Sequence, residues 1–495
     1  LQGQSPDYQD LSFKFKWDSR KLGSFFLFGL GGYNRYSRES KKDSSKWDSD
    51  EPNLTDNGDN LYGVIGLSHQ AFVKPDAYLK TVISASYAGS KDRADTLNPA
   101  DQYVNVPVSH DAFTDRALRI SSFYNEKLDS RNTIRTGFVF QQLSYNLNNV
   151  NYDDQEKEWK QVLLGNGNTQ FYQAFAQWKY RVTDNLTLNT GLHGSYLALN
   201  GKRSIEPRTG ISYRYRGQVF SLAAGLHTRP QQISTYLFEN VSAEDAHTHP
   251  NKNLDLTRAA HFVLGYEKFF SLISVRTKVE AYYQYLYKIP VEQKIPGGFS
   301  AINMADIYDL GNTAPLVSRG NGQNYGIDLS VEKPFSNDYY FMSALSLFNS
   351  TYTNFAGKTF NSKYNRNYSF NIIGGKEWQA KRNSHRVYGA SGKLLASGGV
   401  RNSVIDIPAS VAAGREELVA DQYYTKQGPV YFRFDFSAYI KTNRKRSTHT
   451  LSLEIQNATN HQNLYGYYFD SRTGEQKTAW QLGIIPNIGY KIEFH

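Results

Sequence analysis

Apolar and polar side chains alternate along many short stretches of this chain. Between Tyr431 and Tyr439, Phe432, Phe434 and Phe436 fall on one face and Arg433, Asp435 and Ser437 on the other. Leu451, Leu453 and Ile455 alternate with Ser452, Glu454 and Gln456. Over 275–285, Val275, Thr277, Val279, Ala281, Tyr283 and Tyr285 form one set, and Arg276, Lys278, Glu280, Tyr282 and Gln284 the other. A period of two is the signature of a β-strand whose faces meet unlike surroundings. In a membrane-spanning barrel the apolar set faces lipid and the polar set the lumen, because a charge turned to hydrocarbon costs about 2–4 kcal/mol near the midplane.

The connections are sorted too. Short polar turns fall at 18–22, 74–77, 128–132, 183–185, 216–218, 270–272, 336–338, 380–384 and 442–447. Between them lie longer connections near 36–60, 91–112, 146–168, 230–256, 289–322, 355–364, 393–428 and 468–476, with a short exception at 200–203. Short turns on one side and long loops on the other are the habit of outer-membrane barrels. The expected fold is therefore all-β, an antiparallel transmembrane β-barrel of roughly nineteen strands occupying 1–495 as one domain. The parity has a consequence. A first strand near 10–17 that runs into a periplasmic turn enters from outside, and the last strand ends in the periplasm. Bacterial barrels have an even strand number, so this pattern predicts an incomplete barrel lacking at least one preceding strand, or three if the parent has about 22.

Composition narrows the picture. There are 37 Tyr and 29 Phe, the mean hydropathy is −0.59, and no stretch reaches the roughly eighteen apolar residues that a spanning helix needs. With no Cys, a disulfide scaffold and a thiolate metal site are excluded. The net charge of +10 is spread over loops and turns without a basic stripe, which argues for anionic outer-membrane lipid and lipopolysaccharide as the partner and against nucleic acid. The pairs Phe25-Phe26 and Tyr339-Tyr340-Phe341, just after short turns, suit an interfacial aromatic girdle.

At the C-terminus, Asn487, Gly489, Ile492 and Phe494 resemble the insertion signal read by the barrel assembly machinery, with His495 after the aromatic as a small departure. The stretches Arg319 to Gly326 leading into Asp328 to Pro334, Tyr364 to Asn371 followed by Gly374, Gly375, Glu377 and Trp378, Leu451 to Asn460, and Leu482 to Phe494 look similar to the C-terminal barrel of TonB-dependent outer-membrane receptors. The resemblance runs along the whole chain and is strongest after Gly320. It implies energised uptake through a large barrel closed by an N-terminal plug domain and opened by the TonB complex; neither plug nor TonB-contacting segment is found in this sequence.

For ligand contacts the candidates are His227, Arg229 and Gln231, which alternate where a strand leaves for the loop ending near 256, and the loop aromatics Tyr236, Phe238, Trp47 and Trp159. Mutually satisfied lumen residues, loop packing and interface anchoring are the competing explanations. His247 and His249 near Glu244 and Asp245, and Asp48, Asp50, Asp56 and Asp59, match no standard metal spacing and are read as solvated loop charge. No nucleophile elbow and no His-Glu-x-x-His sequence occurs, so no enzyme, cofactor or metal site is expected. The expected function is uptake of a scarce ligand, with siderophore, cobalamin, oligosaccharide and peptide all open and a surface lipoprotein as a further candidate partner. A passive porin-like channel and an adhesive or structural barrel are the alternatives.

Overall fold

In the computed structural model the described residues are 7–40, 54–98, 104–153, 157–238, 240–241, 247–304, 315–381, 385–471 and 473–495. Their main sheet is antiparallel and 20-stranded, and apart from the short strand Thr359–Asn361 its nineteen strands run as a simple meander. These are β1 Asp7–Ser19, β2 Gly23–Arg38, β3 Leu54–Lys74, β4 Ala77–Asn98, β5 Val104–Lys127, β6 Asn132–Asp153, β7 Glu158–Arg181, β8 Leu186–Leu197, β9 Lys202–Tyr215 and β10 Gln218–Arg229. The second part comprises β11 Thr257–Phe270, β12 Val275–Glu292, β13 Leu316–Ser336, β14 Tyr339–Thr353, β15 Tyr368–Gln379, β16 Arg386–Ser397, β17 Tyr431–Asn443, β18 Ser447–Gln456 and β19 Ile485–Phe494. Each strand pairs with its neighbours in sequence; β1 and β19 are the two edges, and no pairing joins them among the described residues.

Register turns the alternation into two continuous surfaces, since residues directly opposite share a face. One row runs Leu27, Leu67, Ile83, Ile120, Phe140, Tyr172 and Tyr196 across β2 to β8. Another runs Ile211, Leu222, Leu264, Ala281, Ile327 and Leu347 across β9 to β14. A third links Tyr388, Ile440, Leu451 and Tyr490 across β16 to β19. Most of these side chains are exposed, Leu264 at 59% and Ile327 at 52%. So wide an apolar belt needs an apolar covering. The opposite face is polar: Glu280 stands across from Asp328, and Gln284 lies between His261 and Asn324. Trp17, Phe25 and His69 stack in sequence near the short turns on the apolar face, whereas Phe26 turns to the polar face beneath Lys14 and Lys16.

The short turns fall where alternation placed them, and 198–201 is indeed short. Two expected long connections are corrected. Most of 91–112 and 146–168 is strand: β4 runs to Asn98 and β5 begins at Val104, while β6 runs to Asp153 and β7 begins at Glu158. Strands β3 to β7 are 21, 22, 24, 22 and 24 residues long, about twice the 9–11 residues that cross a bilayer. Past that length Tyr145 and Leu147 still alternate with Asn146 and Asn148 and are buried with Leu163, but the run Asn146, Asn148, Asn149 and Asn151 reads as loop in the sequence.

From β10 onward the longer connections fold on themselves. Residues 230–256 contain the short helix Ile233–Tyr236, and 398–430 the helix Ile407–Ala413, whose start is capped by Asp406 accepting from the Ala409 amide and whose end turns at Gly414 with φ 67°. No helix among the described residues is long and apolar enough to cross a membrane.

Candidate ligand site on the polar face

Strands β8, β9, β10 and β11 place alternate residues on the polar face: Gly191 and His193, then Ser204, Glu206 and Arg208, then Gly225 and His227, then His261. Their registers draw residues far apart in sequence into one group. Glu206 is 1% exposed. Its carboxylate accepts from Ser204 Oγ at 2.8 Å, from Arg208 at 2.6 Å and from Thr228 Oγ1, and His193 Nδ1 lies 3.2 Å away. A buried carboxylate is tolerable only with such saturation. Its role is to hold Arg208, which is 40% exposed and so retains donors for the space beyond.

That space is a cavity of about 750 Å³. His227 and His261 line it with ring centroids 4.5 Å apart. At Gly225 an added Cβ would come 3.1 Å from Arg208 Cγ and 3.2 Å from His227 Nε2, so the missing side chain lets both lie across the wall. Towards the short-turn end, Arg135 sits 3.9 Å from the Phe123 ring centroid and 5.8 Å from that of Phe175. Two arginines, three histidines and aromatic rings around one hollow, with the sole acid of the group already satisfied, suit a ligand that carries negative charge. Next along the wall the character reverses: Glu280, Asp328, Gln284 and Asn324 line a second hollow of about 500 Å³.

Of the expected ligand contacts that lie among the described residues, only His227 lines the cavity. Arg229 ends β10 exposed. Gln231 is tied down, its side chain donating to the Asp255 carbonyl at 3.3 Å and to Thr257 Oγ1 at 2.8 Å. Tyr236 is corrected outright: it is 0% exposed in a loop core with Leu197, Phe238, Leu254, Leu256 and Leu316, and its hydroxyl accepts from the Gln231 amide at 3.1 Å. Burial pushes its phenol up to about 12. It presents no ring face to a ligand, and neither does Phe238. Trp159, 47% exposed, packs edge-on against Tyr152 at the top of the β6–β7 pair. Trp47, Asp48, Asp50, Glu244 and Asp245 lie outside the described residues, as does the side chain of His247. His249 faces the Leu237 carbonyl at 3.1 Å, and Asp59 pairs with Arg35 at 2.7 Å. No group of three or more acidic, His or Cys side chains able to hold a metal occurs among the described residues.

Sequence reading missed His193, Glu206, Arg208 and His261. The signal was available in part, because Ser204-x-Glu206-x-Arg208 and Gly225-x-His227 are period-two polar sets; what joins them is cross-strand register, which no single strand encodes.

The described part of the connection 230–256 reaches across to the tall strands. Leu237 packs on Tyr145, Leu147 and Leu163, and a Cβ at Gly165 would sit 2.9 Å from Leu237, so the loop rests against the polar-side face of the tall strands.

Among solved structures the likeness is extensive. The ferric-catecholate import receptor Fiu of K12 E. coli matches with a TM-score of 0.66 at 8% identity, over 99% of this chain and 75% of that one. The pyoverdine outer-membrane receptor FpvA of Pseudomonas aeruginosa PAO1 matches at 0.66 and 12%, over 99% and 71%. The ferric preacinetobactin receptor BauA of Acinetobacter baumannii matches at 0.64 and 11%, over 99% and 72%. The chain has the barrel fold of TonB-dependent outer-membrane receptors. In such a receptor-type barrel the apolar belt is the outer surface, the polar face is the lumen, and the cavity lies on the lumen wall. No family model matches the sequence, and no curated protein does.

Proposed function

We propose that this chain forms the wall of a bacterial outer-membrane receptor that captures a scarce ligand and passes it inward in a TonB-dependent step. The observation that carries the reading is the nineteen-strand meander with a lipid-ready outer belt and a polar lumen, matched along 99% of its length by import receptors. The short-turn side then faces the periplasm and the tall strands rise outside the cell. The ligand meets the folded loops first and the wall around His227, His261 and Arg208 next, where the guanidinium groups of Arg208 and Arg135 and the ring N–H donors of the histidines favour an anionic ligand. A plug domain would sit against this wall, held by its polar groups. Asn487, Gly489, Ile492 and Phe494 serve in this reading as the assembly machinery's signal; the split of Asn487 and Gly489 to the lumen and Ile492 and Phe494 to the lipid side supports it.

The test is planar-bilayer conductance of the full-length gene product purified from outer membranes. A closed barrel with rare openings is expected. Steady open-channel current would replace this reading by a passive channel, and a protein that partitions into the soluble fraction would remove the membrane assignment altogether.

A further inference from the structure

The outward face of β2 to β5 carries a basic cluster directly above an apolar groove. The groove, about 690 Å³, is lined by Leu11, Phe13, Leu61, Ile65 and Tyr87, with Gly31 and Gly63 opposite each other at its floor. Neither glycine has a left-handed φ. A Cβ added at either would find its nearest neighbour at 3.4 Å, a contact that a few tenths of an ångström relieve. Backbone geometry therefore does not demand glycine at these positions, and glycine inside a strand lowers stability. What the pair achieves is an open hollow in the lipid-facing belt.

Along the same face, four residues or about 13 Å outward from Gly63 at ~3.3 Å per residue, the side chains turn cationic. Asp59 stands between Arg35 and Lys91 and Asn57 between Ser37 and Arg93, while Arg116, opposite Tyr87, lies level with Gly63 at the side of the groove. Arg35 is paired with Asp59 at 2.7 Å and Arg93 with Asp95 at 3.2 Å. Lys91 and Arg116 are exposed, and Arg116 covers the Tyr87 ring at 5.6 Å. Lys91 shares Asp59 with Arg35, so the four cations of this face meet two carboxylates, and such an excess beside a belt that meets lipid answers one chemistry: a phosphate headgroup attached to acyl chains.

We propose that this face is a binding site for a phosphorylated glycolipid of the outer leaflet, of the lipopolysaccharide class. Lys91, with Arg35 and Arg93 beside it, holds a headgroup phosphate at the outer rim, Arg116 reaches the headgroup from the side of the groove, and an acyl chain lies in the Gly31–Gly63 hollow. The proposal rests on the outer-membrane reading given above and goes beyond it by assigning the lipid to one sector of the wall.

The experiment is native mass spectrometry of the full-length protein extracted from outer membranes in mild detergent, with retained glycolipid scored per protein. Wild type is expected to keep bound glycolipid. The double variant Lys91→Gln, Arg116→Gln should lose about thirtyfold in retention, at roughly 1 kcal/mol for each cation near an anionic surface. Gly31→Val with Gly63→Val should lose it comparably by filling the hollow, and both variants should keep the heat-modifiable gel mobility of a folded barrel. A control pair on another sector of the outward face, Leu264→Ala with Leu329→Ala, should retain lipid as wild type does. Equal retention in every variant, or none in wild type, overturns the proposal. A headgroup variant that loses lipid while the groove variant does not overturns its acyl half. Absence of the protein from the outer membrane overturns the receptor reading itself, a result readable before any lipid is counted.

Discussion

Two sectors of the wall solve the problem of leaving the membrane differently. From β3 to β7 the strands continue outward as ribbon, joined at the top by the narrow gaps 99–103 and 154–157. From β10 to β19 most strands stop sooner, and the chain builds compact loops with buried cores of their own, around Tyr236 in one place and around Tyr352, Phe360 and Tyr423 in another. In the ribbon, stability is local and repetitive, each residue resting on ladder hydrogen bonds and cross-strand pairs such as Gln142 with Gln170 at 2.9 Å. In the loops it depends on a few large side chains that order many backbone groups at once. The lesson is that a single exposed change should barely disturb the ribbon, whereas one buried change should release a loop.

The sharpest way to break that contrast is Tyr236→Ala against Trp159→Ala. Removing Tyr236, fully buried, should cost about 3–5 kcal/mol of loop stability. Removing Trp159, half exposed and held by one edge contact with Tyr152, should cost about 0.5 kcal/mol. Limited proteolysis within 230–256 reads the first and cleavage near 154–157 the second, with heat-modifiable mobility confirming that the wall persists. Comparable cleavage in both variants would erase the distinction.

A smaller effect tests the junction between the sectors, where β8, β9 and β10 hold the lumen cluster. Glu206→Ala leaves Arg208 without its buried partner and Ser204 and Thr228 without their acceptor, so a loss of about 3 kcal/mol is expected from breaking a buried pair. Glu206→Gln keeps an acceptor for the hydroxyls and should lose less. The denaturant midpoint in detergent measures both. If neither variant shifts it, the cluster's ordering role is refuted and Glu206 is free to act on ligand.

This contrast also marks where the sequence could be read and where it could not. Phe432, Phe434 and Phe436, or Val279, Ala281 and Tyr283, announce their face because lipid on one side and water on the other impose a period of two. Asn146 to Asn151 are harder to read, since four asparagines in six residues look like a loop although Leu147 among them is buried under Leu237, and the length of the ribbon appears only when β6 and β7 are paired. Tyr236 was misjudged for a related reason. An aromatic in a polar loop looks available until Leu197, Leu254 and Leu316, contributed by separate segments, close over it. The lumen site shows the same limit, with His227 legible as an inward residue but its neighbours His261, Arg208 and Glu206 supplied by register on two other strands.

The least effect expected is a pH-dependent one at the base of the loop 230–256, and it separates apolar from polar fastening. Asp255 lies 3.1 Å from Lys202 Nζ and 3.0 Å from Lys288 Nζ, joining the loop to the starts and ends of two strands. Burial by itself would raise its carboxyl, but hydrogen bonds and charge from Lys288 and Lys202 outweigh burial and hold it below the ordinary aspartate value. A carboxyl lowered in the folded state contributes its stability in full above the unfolded value of about 3.9 and loses it as pH falls through the folded value. All three side chains are about a third exposed, so screening limits the contribution to about 0.5 kcal/mol. Hydrogen exchange of the amides in 250–256 should therefore quicken modestly in wild type below about pH 4, while Asp255→Asn should exchange at that quickened rate already at neutral pH and show no further acid step. Were the variant to titrate as wild type does, the loop would be fastened by its Tyr236 core alone, and the two sectors would differ in packing without any share left for charge.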